Sequence, residues 1–492
     1  MPSQRPWWNV VVLALLAVAS AAAGQSSPPA PSDPVAPLVT LAEAAFRSGR
    51  LDEALQAYDR AHASAAQQGD ADRAFDLAYL AAAIEHQRGR HAEALRRFRE
   101  AALARPEHPR APEAHRLAAY HGAQLAQAQT PADWNRYAAL LDEYLRRWPR
   151  SPEANRTRRQ LGHVYELQKN WSAAAAAYRA TEADDPDFGQ SVSAAGACYR
   201  AWIGELRTTG KPSVAIATEA AQWFESLVLD GSGRAPEVWV PLQRQAVLEA
   251  VRLWLEVPAG AGRAETLLRV ALQGVRDPAP AWQSSARVLL ISACATQGRR
   301  REAADQLTQL PRAAHGDLLL LVETLQRLAD AASPDVRGEL GAMELRAIEL
   351  LEPWRAQLDA SSRRTLERLA ARAAADAGRN DQALAAYQAL ARAYPRDGTI
   401  QEDYARLLAS RSDAASLTAA RTRWLEIVAH SEPGSPRWFR AEYHVAELDY
   451  RLGNAQHARQ ILQRLEVLYP SMGGPELKSR FAALAQLLDQ GK

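Results

Sequence analysis

Apolar and small residues recur at helical spacing along most of the chain, and one mixed phrase recurs with them. "FRSGRLDEALQAYDRA" (Phe46–Ala61) and "HQRGRHAEALRRFREA" (His86–Ala101) share Gly-Arg, then Glu-Ala-Leu, then an aromatic and an Ala, forty residues apart. Such a phrase predicts a helix end, a turn at Gly where positive φ meets no Cβ clash, and a second helix beginning at once. The second helix places a small residue (Ala54, Ala94, Ala174, Ala303, Ala383, Ala458) where two backbones can approach closely. Four residues on, on the same face, stands a large apolar one: Tyr58, Phe98, Tyr178, Leu307, Tyr387, Leu462. Pro106, Pro149, Pro186, Pro395 and Pro470 then stop the helix.

Gly49, Gly89, Gly298, Gly338, Gly378 and Gly453 mark the predicted turns, with Lys169 at the equivalent place in "LGHVYELQKNWSAAAAAYRATEADDP". Loop-forming residues near Gln129, Gly210, Gly260 and Ser412 fill the remaining slots. About eleven units of 34–50 residues thus account for Leu38 to the C-terminus. One helix pair cannot bury its own apolar stripe, whereas a stack can. The predicted fold is therefore all-α: a superhelical solenoid of about eleven antiparallel helix pairs with a period of about 40 residues.

Leu161-Gly162, Tyr165, Trp171, Ala174, Tyr178 and Pro186 fall at the spacing of the tetratricopeptide repeat (TPR) family, which the chain resembles. The likeness is strongest at 38–106, 155–186, 365–395 and 438–470 and weakest at 190–285. The family repeat is about 34 residues, so longer helices or inserted loops are expected here. "EYLRRWPRSPEA" is also similar to periplasmic helical-repeat proteins of bacterial envelope assembly.

Composition agrees with helix throughout: Leu, Ala, Arg and Glu dominate while Val, Ile and Thr are sparse. The 59 basic residues nearly cancel the 57 acidic ones, leaving +2, which argues against a nucleic-acid-coating protein. Arg outnumbers Lys 55 to 4, the usage of a GC-rich bacterial genome.

The N-terminus differs. Arg5 precedes the apolar run Val10–Ala19 and the small residues Ser20–Gly24, which reads as a signal peptide (1–24) cut near Ala23 or Gly24. A Pro/Ser-rich linker (25–37) follows, and the repeat array occupies 38–492. The expected location is periplasmic or secreted, with membrane contact only through an uncleaved signal segment. Cys198 and Cys294 read as small buried apolar residues rather than a disulfide.

Candidate chemistry is sparse. "GELRTTGKPS" (Gly204–Ser213) has five residues between its glycines and Pro after Lys211, so it is a turn, not a phosphate-binding loop. "DGSGR" (Asp230–Arg234) lacks the nucleophile-elbow pattern and reads as a loop. His86, His91, His108, His115 and His121 crowd 36 residues, but none shares the i, i+4 spacing of a helical metal pair, and solvated or core-edge positions are expected. Trp residues are spread singly across the units and read as packing between repeats. No catalytic site, metal or cofactor is expected.

What remains is surface. The family resemblance implies that the first helix of each unit lines a concave groove. Its offsets select Arg156, Arg159 and His163, then Thr365, Arg368 and Arg372, then Arg440, Tyr443, Glu447 and Tyr450. The family's clamp for C-terminal carboxylates uses Asn and Lys there, and this chain has neither. The expectation is a non-enzymatic scaffold of the bacterial envelope that binds exported proteins or peptides, acidic segments among them. The competing expectation is a substrate-binding or regulatory subunit of an enzyme acting on cell-wall polymers. If the arginines are merely solvated, exchanging Arg368 and Arg372 for Glu changes stability by under about 0.5 kcal/mol.

Overall fold

The computed structural model describes residues 33–127, 131–276, 279–310 and 315–490. The expected signal peptide lies outside them, as do Gln129 and most of the linker. The described end of the linker is already helical from Val35.

Twenty-three α-helices and one 3-10 segment carry the described chain, with no strand among the described residues. They fall into two compact units, 1–202 and 203–492. The first holds α1 (Val35–Arg47), α2 (Leu51–Gln67), α3 (Ala71–Gln87), α4 (His91–Ala104) and α5 (Ala111–Gln127). It continues with α6 (Pro131–Arg147), α7 (Ala154–Leu167) and α8 (Trp171–Arg179). The boundary falls within α9 (Phe188–Thr208). The second unit opens with α10 (Val214–Ser226), α11 (Pro241–Trp254), α12 (Ala261–Gly274), α13 (Pro280–Thr296) and α14 (Arg300–Thr308). Next come α15 (His315–Asp330), α16 (Pro334–Leu351), the 3-10 segment Glu352–Gln357, α17 (Ala360–Asp376) and α18 (Asn380–Ala393). It ends with α19 (Gly398–Ala409), α20 (Ala414–Ala429), α21 (Pro436–Arg451), α22 (Ala455–Leu468) and α23 (Pro475–Gln490). Taken two at a time, α1 to α22 make eleven pairs, with α23 following. This is an all-α helical repeat fold.

The turns are built as the phrase predicts. Gly49, Gly89, Gly298, Gly378 and Gly453 all have positive φ, and Lys169 holds the same conformation at φ 56. At each, a backbone N–H three residues beyond the helix reaches back five residues: Arg50 to Ala45, Arg90 to Glu85, Asn170 to Tyr165, Arg379 to Ala374. That bond satisfies a carbonyl the helix end would leave open. Gly338 departs from the expectation, lying inside α16 rather than at a turn. Gly69 is a turn glycine that the forty-residue spacing does not find.

Packing follows from the same residues. Ala54, Ala94, Ala174, Ala303, Ala383 and Ala458 are fully buried, and all six large knobs four residues later are buried too. Gly162 lets α7 approach the Tyr178 knob, since a Cβ there would sit 2.7 Å from the ring. Trp148 Nε1 donates to Pro106 O at 2.8 Å, across 42 residues, and Trp282 Nε1 to Arg244 O, across 38. Each bond spans about one repeat and ties neighbouring pairs together. Cys198 and Cys294 are buried and unbridged.

Candidate partner-binding face

On α7, Arg156, Arg159 and His163 recur every three or four residues but do different work. Arg156 is exposed, 3.6 Å from Glu153, and His163 is exposed with Nδ1 3.3 Å from Glu166. Arg159 is held down. Its guanidinium donates to Asp185 and, at 3.0 Å, to Asp187, clamping α7 to the turn that leads into α9.

On α17 the two expected arginines are clamps as well. Arg368 Nη1 donates to Asp403 of α19 at 2.9 Å. Arg372 pairs with Asp330 of α15 and lies 3.7 Å from Asp376 on its own helix. Thr365 hydroxyl donates to Ser361 O at 3.1 Å. Beside them is Glu344 of α16, buried, with neither carboxylate oxygen hydrogen-bonded. Burial pushes its pKa up to about 8, against the pull of the Arg372 charge, and Asp376 is raised for the same first reason. A free arginine wall for partners is thus replaced here by ion pairs that link α17 to α15 and to α19.

On α21, Arg440 is half-buried, 3.5 Å from Glu402. Tyr443 lies in the core, with Arg480 stacked 4.3 Å from its ring centre and Phe481 edge-on at 5.3 Å. The helix offset points it inward, against α23, rather than toward an open groove. Glu447 is held below its ordinary range by the bond from His444. Tyr450 is half-buried against the same core. The expected residues on α7 therefore belong to one unit and those on α17 and α21 to the other.

The histidines depart most from expectation. His115 and His121 are fully buried, neither solvated nor at the core edge. His121 meets His86 Nδ1 through its Nε2 at 3.0 Å and His91 Nδ1 through its own Nδ1 at 2.8 Å. Burial, then the neighbouring imidazoles, lowers the His121 pKa to about 3, so the ring is neutral and passes a hydrogen-bond chain from α3 to α4. Each nitrogen of His121 faces a different partner, and among the described residues no group of three or more ligands is placed to hold a metal. His115 instead meets Glu143 at 2.8 Å, and Arg99 closes on the same carboxylate at 2.7 Å. These contacts join residues 28 to 44 apart, about one repeat. A search for i, i+4 pairs does not find them, whereas one at the repeat distance would.

No protein-family profile and no curated protein sequence matches the chain. Among solved structures it is similar to Naa15/Naa10 bound to HypK-THB, with 15% identity and a TM-score of 0.34 over 92% of this chain and 65% of that one. It is also similar to a monomeric IFIT1 mutant with Gppp-AAAA, at 14% identity and a TM-score of 0.32, covering 92% and 90% of the two chains. Human IFIT1 as a dimer with m7Gppp-AAAA gives 13% identity and a TM-score of 0.28 over 92% and 93%. At these values neither family nor activity transfers, and the functional reading rests on the chain's own residues.

Proposed function

We propose that the chain is a non-enzymatic scaffold of the bacterial cell envelope that holds exported proteins or peptides along its helix-pair surfaces. The observation that carries this is the use the polar side chains are put to. Arg159 ties α7 to the turn before α9, and Arg368 and Arg372 tie α17 to α19 and α15, so within each unit ion pairs stiffen successive helix pairs. A rigid wall of stacked pairs is a surface on which a peptide docks through a few anchors without the chain reorganising. Arg156 and His163, exposed on α7, are the anchors this reading assigns there. The N-terminal pattern supports export, with loss of residues through Ala23 or Gly24.

The experiment is affinity capture of the mature chain from an envelope extract, followed by reconstitution with each purified partner in an ultracentrifuge. A defined stoichiometric complex is expected. Turnover of a cell-wall polymer by the purified chain, abolished by one polar substitution, would replace the scaffold reading with the enzymatic one.

A further inference from the structure

A cavity of 640 Å³ opens in the second unit where four helix ends meet. The end of α18 and the first turn of α19 form one side, and the last turns of α20 with the start of α21 form the other. Its charged lining is three guanidinium groups, Arg396, Arg423 and Arg437, against one carboxylate, Glu426. Ile427 and Pro395 supply apolar surface beside them.

Partners within the fold leave this excess in place. Arg423 is paired with Glu426 at 2.9 Å. Arg437 Nε donates to Glu402 at 2.6 Å, but that one buried carboxylate also serves Arg406 at 2.9 Å and Arg440 at 3.5 Å. Arg396 is exposed and makes no hydrogen bond or ion pair among the described residues. Gly398 matters to the geometry. The Arg437 guanidinium lies directly over it, and a Cβ there would come within 2.4 Å of Nη1. The wall behind is firm, because the buried Gln401 amide donates to Ala391 O at 3.0 Å and Tyr394 O at 3.2 Å. The α19 N-terminus is not the anion donor, since Asp397 already accepts from Thr399 and Ile400.

We infer that this cavity binds an acidic peptide segment, an Asp or Glu side chain flanked by an apolar residue, supplied by a partner protein. The inference rests on the scaffold reading and names one docking point for it. The unspent Arg396 guanidinium can fork onto a carboxylate, with Arg423 and Arg437 adding positive charge beside it, and the volume falls in the range of specific ligand sites. Ile427 and Pro395 receive the adjoining apolar side chain.

Fluorescence anisotropy on the full mature chain tests it. The probe is a labelled eight-residue peptide of alternating Glu and Leu, amidated at its C-terminus, with a Gln-for-Glu peptide as control. The Glu peptide should bind on the order of tenfold tighter than the control, the difference of one charge-assisted hydrogen bond. Arg396→Gln should remove most of that preference, and the binding should weaken with salt. Gly398→Ala should do the same, because its Cβ would push the Arg437 guanidinium aside. Equal binding of both peptides, or wild-type binding by both variants, overturns the proposal. Inorganic phosphate competing as strongly as the peptide would also overturn it, by showing a general oxyanion site. If a partner captured from the envelope binds the Arg396→Gln chain as well as the wild type, this docking point fails while the scaffold reading stands.

Discussion

At Arg368 and Arg372, solvent exposure decides whether a charge is available or spent. Both side chains are three-quarters buried and face Asp403, Asp330 and Asp376, with Glu344 beneath. Exchanging both for Glu therefore brings like charges together and strips a buried acid of its compensation, instead of leaving the fold untouched. A loss of about 3 kcal/mol is expected, read as a lower denaturant midpoint with unchanged slope. Retained wild-type stability would return these arginines to the solvent. His121 gives a second prediction, in pH. Its proton affinity is lower in the folded chain than in the unfolded one, so the unfolded chain takes up the proton first. Stability is thus full above the ordinary value of 6.5 and falls as pH drops toward about 3. Melting profiles of wild type and His121→Gln should differ below pH 6.5, the wild type declining more steeply. Parallel profiles would show that the imidazole chain is not what responds. A search at the repeat distance brings up the right candidates, but which of them meet was not legible from the sequence, because that needs the register of facing helices, and a residue list does not supply it.

The elements themselves were far more legible. Ala383 and Tyr387, four residues apart on one helix face, predict both the close approach and the knob, and both are buried. The reason is that these contacts are local to a pair, so the spacing along the chain is also the spacing in space. Gly338 shows the limit. A glycine at the forty-residue period was expected to turn, yet it lies within α16, close to α17, where a Cβ would be 3.6 Å from Asp376 O. Its helix neighbour Gly341 carries the tighter constraint, with a Cβ there falling 2.9 Å from Ala373 O and Ala377 N. Backbone cannot step aside as a side chain can. Gly341→Ala should destabilise by about 2 kcal/mol. Gly204→Ala, in a helix with open space around the Cβ, should instead stabilise by about 0.5–1 kcal/mol. Equal effects in thermal melts would refute the close-approach account of α16 and α17.

In the second unit, contacts also reach the next helix but one: α11 with α13, α13 with α15, α14 with α16, α21 with α23. A chain held this way spends its apolar surface on the next pair and its charges on bridges between pairs, and what is left over is surface for partners. The all-α repeat organisation was legible because it is written many times over. The docking point was not, since Arg396, Arg423 and Arg437 meet only when helix ends from two successive pairs are brought together. The most direct test is photo-crosslinking in the living host. Benzoylphenylalanine is placed at Ser431, on the cavity wall, or at Asp381, whose side chain is fully exposed on α18. Ser431 should give a few discrete adducts with exported proteins, joined through acidic segments and lost on adding Arg396→Gln, while Asp381 gives none of them. Adducts shared by both positions, or none at Ser431, would contradict the docking point.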